Sequence, residues 1–199
     1  YGANFACKSQ ITGQTALYSM RSNHSISYCL NNRDDAKPDG FHDNIERIIR
    51  LFTDRGCDIN SIDNQGLTVL SYFLLKSAYR FENELIISTL LECGANPNIL
   101  TKISHPEPFI ATNALFMAIK YHWSTEILDC LKRFGVNDKE KDVNGNNILV
   151  FSILERQIDS ISWLLNNYSW TNDPIILKES IKYTKYFSKE RKIIKSWRG

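Results

Sequence analysis

Asp63-Asn64-Gln65-Gly66-Leu67-Thr68-Val69-Leu70 packs a turn, a helix cap and the start of an apolar helix into one short run. Asp at the head of such a turn accepts backbone hydrogen bonds, and Gly at its end takes a positive φ. Thr68 is a natural N-cap, its hydroxyl placed to meet an amide that the next helix leaves unpaired. Val69-Leu70-Ser71-Tyr72-Phe73-Leu74-Leu75 then reads as an apolar inner helix. The junction recurs as Asp142-Val143-Asn144-Gly145 followed by Asn146-Asn147-Ile148-Leu149. Looser copies are Gly13-Gln14-Thr15-Ala16-Leu17 and Ala111-Thr112-Asn113-Ala114-Leu115.

A second phrase precedes each of these: Gly2-Ala3-Asn4, Gly56-Cys57-Asp58-Ile59-Asn60, Gly94-Ala95-Asn96-Pro97-Asn98 and Gly135-Val136-Asn137-Asp138. Gly after an amphipathic stretch supplies the left-handed C-cap of a helix. One such outer helix is expected over 84–93, with Ile86, Ile87, Leu90 and Leu91 at helical spacing. No turn-helix-turn-helix unit can hide its apolar face alone, so the units must stack.

The repeated phrases resemble the ankyrin repeat, whose G-A-D-x-N and D-x-x-G-x-T-P-L they approach closely. The fold expected is all-α, a solenoid of about four irregular repeats over 1–168 (about 1–55, 56–93, 94–134 and 135–168). Two departures stand out. The family's Pro-Leu-His is replaced by Ala16-Leu17-Tyr18, Val69-Leu70-Ser71, Ala114-Leu115-Phe116 and Ile148-Leu149-Val150, which predicts less regular units. The equivalent leucines Leu17, Leu70, Leu115 and Leu149 are spaced 53, 45 and 34 residues apart, against the family's 33. The surplus falls at 23–41, 77–83 and 100–109, polar and turn-rich stretches that read as surface inserts. Such inserts, with a bias towards Asn, Ile and Lys, most resemble poxvirus ankyrin proteins, which implies a viral host-range or immune-evasion role; effectors of intracellular bacteria share both features.

Composition bounds the rest. With 199 residues, 43% hydrophobic, the chain can bury a core. Its 24 basic and 22 acidic residues are too balanced to suggest nucleic-acid binding by charge. The longest apolar runs, 67–75 and 148–154, fall short of the ~20 residues of a membrane span. Five cysteines, an odd number without a C-x-x-C pair, read as reduced thiols in the cytoplasm (a host's, if the source is viral or an effector) or the nucleus. The opening Tyr1-Gly2-Ala3-Asn4 falls inside a unit, so the chain reads as a piece of something longer.

No catalytic, cofactor or metal motif is present: His24, His42, His105 and His122 stand apart, without helical ligand spacing. What the resemblance implies is protein binding through hairpin tips and inner-helix positions. Carried over position by position, these are Asn64, Gln65, Leu67 and Lys76 in the second unit; Phe109, Thr112, Lys120 and Tyr121 in the third; Val143, Asn144, Asn146 and Glu155 in the fourth. Trp123, Tyr121, Phe109 and Phe81 fall in expected loops, where large aromatics serve as interface anchors. The partner expected is a host or cellular protein, with no nucleic acid and no membrane, and any ubiquitin-ligase link lies in segments outside this chain. Two alternatives stay open: an effector fragment whose Cys and His meet in space, and a cellular scaffold. The first predicts one reactive, low-pKa thiol.

The tail, 169–199, reads as a basic helical cap. Asp173-Pro174 supply N-cap and first helical residue, and Ile176, Tyr183, Phe187, Ile194 and Trp197 fall near one face. Residues 173–199 hold eight basic side chains against three acidic, so they carry +5 and the preceding residues −3. A cap, a dock for an acidic partner and a phosphate-attracting element are three readings of that charge.

Overall fold

The computed structural model describes residues 7–21, 41–75, 80–103, 110–184 and 188–196. A 3-10 turn, Ala16–Arg21, comes first, followed by α1 (Phe41–Asp54), α2 (Val69–Leu75) and α3 (Arg80–Glu92). The short strands β1 (Thr101–Ile103) and β2 (Ile110–Thr112) precede α4 (Ala114–Lys120), α5 (Thr125–Arg133), α6 (Ile148–Leu154) and α7 (Ile158–Asn167). A 3-10 turn at Ser169–Asn172 then leads into α8 (Pro174–Tyr183) and α9 (Ser188–Ser196). Among the described residues the packing is all-α apart from the β1–β2 ribbon.

The helices pack in two rows in chain order. The first 3-10 turn lies against α2, and α2, α4, α6 and α8 follow side by side. Helices α1, α3, α5, α7 and α9 form the second row, and α2, α4 and α6 each pack on the helix that follows. Between the rows lie Phe73, Leu74, Leu115, Met117, Ile119, Ile87, Leu90, Leu128, Leu131 and Leu164, all buried. An inner helix of seven residues is below the ~12–15 at which an isolated helix holds in water, so this packing is what keeps it formed.

Local chemistry sets the helix ends. Asn113 Oδ1 accepts from the Leu115 and Phe116 amides, and Asn147 Oδ1 from the Val150 amide at 2.9 Å. Thr68 and Ser71 cap reciprocally: the Thr68 amide donates to Ser71 Oγ at 2.7 Å and the Ser71 amide to Thr68 Oγ1 at 3.2 Å. After α4 and α6 the chain turns through a left-handed residue that is not glycine, His122 and Arg156, both at φ 59°.

Several expectations are corrected here. The second outer helix starts at Arg80, earlier than the expected 84, so part of the apparent 77–83 insert is helix. The 100–109 insert grows out of a ribbon, with Thr101 opposite Thr112 and Ile103 opposite Ile110, rather than a bare loop. The tail forms two helices. Thr184, whose hydroxyl donates to the Ile181 carbonyl at 2.7 Å, ends the first of them and breaks the single expected stripe. The opening Gly2-Ala3-Asn4, most of the 23–41 insert, Lys76, Phe109, Phe187 and Trp197 lie outside the described residues.

Candidate protein-binding surface

The turns that join the helix pairs are built alike. Asp63 Oδ1 accepts from the Gln65 and Leu67 amides, both at 2.9 Å. Asp142 Oδ1 does the same for Asn144 and Asn146, at 2.9 and 2.7 Å. Each Asp is buried, and each carbonyl accepts from the glycine that closes its turn, Gly66 and Gly145. A buried carboxylate so bonded holds its turn rigidly and pushes the residues between Asp and Gly outwards. Those residues are Asn64 and Gln65 in one turn, Val143 and Asn144 in the other, and all four are exposed.

Successive turns are tied together by side-chain amides. Asn60 Nδ2 donates to the Gly94 carbonyl at 3.2 Å and its Oδ1 accepts from the Asn96 amide at 2.7 Å. Asn98 makes both bonds at the next turn, to the Gly135 carbonyl and the Asn137 amide, at 2.9 and 2.6 Å. Asn64 reaches back, donating from Nδ2 to the Ile11 carbonyl at 3.0 Å while its amide donates to the Thr12 carbonyl at 2.9 Å. The result is a continuous edge of hairpins with fixed spacing.

Among the residues singled out from sequence, the structure takes three off this surface. Leu67 is 2% exposed and Trp123 4%, and Thr112 is buried, its carbonyl accepting from Thr101 Oγ1 at 3.1 Å. Trp123 does not project from a loop: its indole N–H donates to the Leu74 carbonyl at 2.8 Å, at the far end of α2. Lys120, Tyr121, Asn146 and Glu155 are half-buried. Burial, with Glu155 adding to it, pushes the Tyr121 phenol above its ordinary pKa. Lys76 and Phe109, outside the described residues, have no place on the surface to report.

Sequence reasoning also missed three members of the edge. Ile11, Ile62 and Leu100 are large apolar side chains in the turns, and Ile11 is 89% exposed. The signal was legible: an isoleucine or leucine inside a polar turn has no core to enter. With Val143 at 55% exposure they line the hairpins with separate apolar contacts between amides.

No family model matches this chain, and no curated protein matches it.

Among the described residues no group of three or more His, Cys, Asp and Glu side chains stands where it could hold a metal ion. Burial pushes the thiols of Cys93 and Cys130 above the ordinary range, away from the reactive thiolate. His122 Nε2 lies 3.0 Å from Gln157 Nε2, an amide that also donates to the Glu155 carbonyl at 3.0 Å, a turn-stabilising arrangement. Among the described residues, no helix is long and apolar enough to cross a membrane.

Proposed function

We propose that this chain is an ankyrin-type repeat solenoid that binds a protein partner along its hairpin edge. The repeated phrases, the two helix rows and the matching Asp63 and Asp142 turns support the repeat assignment. The observation that carries the binding reading is the exposure of Ile11, Ile62, Leu100 and Val143 in turns whose backbone is already hydrogen-bonded. Apolar groups held on a rigid frame lose little entropy on binding, and an interface of roughly 1,200–2,000 Å² is within reach of several hairpins. The resemblance of the inserts to those of viral and effector ankyrin proteins makes a host protein the favoured partner, met in the host cytoplasm.

The test is affinity capture from host-cell lysate with partners identified by mass spectrometry, comparing the chain with a Val143→Lys, Asn144→Arg variant. Both positions are exposed, so the variant should unfold at the same denaturant concentration as the parent. A discrete partner captured by the parent and lost by the variant is the expected result. A partner retained in full by the folded variant would overturn the hairpin-edge reading.

A further inference from the structure

Helices α6 and α8 close on a cleft of about 250 Å³ whose opposite walls come from the last hairpin and from the tail. That is smaller than the ~300–1,000 Å³ of sites that enclose whole small ligands, and it suits a single side chain. Lys141, Asn147 and Val150 form one wall, and Ile176, Ser180 and Lys182 the other.

The polar groups of the cleft are mostly donors. Ser180 is 0% exposed, and its hydroxyl meets no partner among the described residues. A helical serine ordinarily turns back to a carbonyl of the preceding turn, so this hydroxyl is poised for another acceptor. Asn147 uses its Oδ1 to cap α6, and its Nδ2 bonds to no described residue. Lys141 and Lys182 add two exposed ammonium groups. Against them stands one lining carboxylate, Glu179, leaving a net single positive charge at the mouth. Val150, buried, and Ile176, half-buried, supply an apolar floor between the donors.

We infer that this cleft receives a glutamate side chain from an acidic segment of the protein partner. The carboxylate takes the Ser180 hydroxyl, the Asn147 amide and the two ammonium groups, while its methylene stem lies on Val150 and Ile176. Glu179 disfavours a dianion, which sets a carboxylate above a phosphoryl group. The +5 balance of 173–199 favours an acidic segment around that glutamate. The inference rests on the protein-binding reading and adds the partner's chemistry to it.

The test uses a fluorescein-labelled peptide of four Glu-Ala-Ser repeats and its Gln-Ala-Ser counterpart, followed by fluorescence polarisation on the full chain. The Glu peptide should bind at least about tenfold more tightly than the Gln peptide, with the difference shrinking at high salt. Lys182→Gln and Ser180→Ala should each weaken the Glu peptide by about threefold or more, while Lys189→Gln, which removes an equal charge on α9, should change it by less than about twofold. Circular dichroism of each variant checks the fold. In an amide nitrogen–proton spectrum the Glu peptide should move Asn147 and Ser180.

Equal binding of the two peptides, equal losses at Lys182 and Lys189, or shifts confined to other residues would overturn the cleft. If the Glu peptide fails while the Val143→Lys, Asn144→Arg variant still loses its captured partner, the glutamate assignment falls alone. If that folded variant keeps its partner, the hairpin-edge reading falls.

Discussion

Asn60 and Asn98 make the same pair of hydrogen bonds, each to the next turn along the chain. One donates to the Gly94 carbonyl and accepts from Asn96, and the other donates to Gly135 and accepts from Asn137. A single side chain thereby replaces the backbone pairing that would hold two strands together, and it spaces the hairpins without forming a sheet. Four residues after Gly135, as Asn60 and Asn98 follow Gly56 and Gly94, the chain has Lys139. Its ammonium lies 5.7 Å from the centre of the Trp170 ring, whose indole donates to Asp138. The amide series therefore ends where the tail begins.

Asn98→Ala should destabilise the chain by about 1–2 kcal/mol, the net value of two hydrogen bonds at a solvated site. Asn98→Asp keeps the acceptor for Asn137 and loses the donor to Gly135, so its cost should fall between parent and alanine variant. Urea unfolding followed by circular dichroism measures both. An alanine variant as stable as the parent would show that packing alone sets the spacing.

Trp123→Phe tests the reassignment of that residue from interface anchor to core. The ring remains and the Leu74 carbonyl loses its donor, which should cost about 1–3 kcal/mol. Partner capture by the folded fraction should be unchanged, since the side chain is buried. Full stability combined with lost capture would restore Trp123 to the binding surface.

Gly13 and Gly135 share a left-handed backbone, at φ 70° and 73°, yet alanine should cost them differently. At Gly135 an added Cβ meets nothing within 4 Å, so only the backbone penalty applies, about 1 kcal/mol. At Gly13 it runs into Asn64, with that residue's backbone nitrogen 2.8 Å away, and the contact between the first two hairpins must open. Gly13→Ala should therefore lower the unfolding midpoint clearly more than Gly135→Ala. Equal losses would mean that the two hairpins do not depend on this approach.

Tyr168 is one of two buried phenols that contribute to the alkaline limit. Burial, helped by the Asp138 charge, pushes its phenol from 10.0 up to about 12. The folded state holds this proton more tightly than the unfolded chain, so stability is intact below pH 10 and falls as pH climbs to about 12. Tyr18 is displaced the same way, chiefly by burial and then by Asp63, and deepens the fall. Thermal unfolding across that window should show a shallower decline for Tyr168→Phe than for the parent. Parallel declines would place the sensitivity elsewhere.

Much of this was legible in the chain because turn and cap chemistry is local. Asp63 and Asp142 sit three residues before glycines, and that spacing alone produces the same hydrogen bonds at both turns. Thr68, Asn113 and Asn147 cap their helices as their side chains dictate. Other outcomes depend on distant partners. Glu190 counts as a surface charge in sequence, yet it is 3% exposed because α9 lies back on α7, with Arg156 3.9 Å away. Trp163 of α7 is buried, with its indole donating to Asp129 of α5 at 2.7 Å.

The sequence by itself determined the recurring local pieces: where the Asp63 and Asp142 turns close and which residues cap and start α2, α4 and α6. Every one of those choices rests on interactions within a few residues, where backbone preference and side-chain reach decide the result. Tertiary structure alone decided which exposed-looking residues are free. Leu67, Thr112 and Trp123 went into the stack, Ile11 and Val143 stayed outside, and the tail broke at Thr184 to lay a second helix across α7. Burial is a property of whatever stacks alongside, and the neighbouring unit is set by chain tens of residues away.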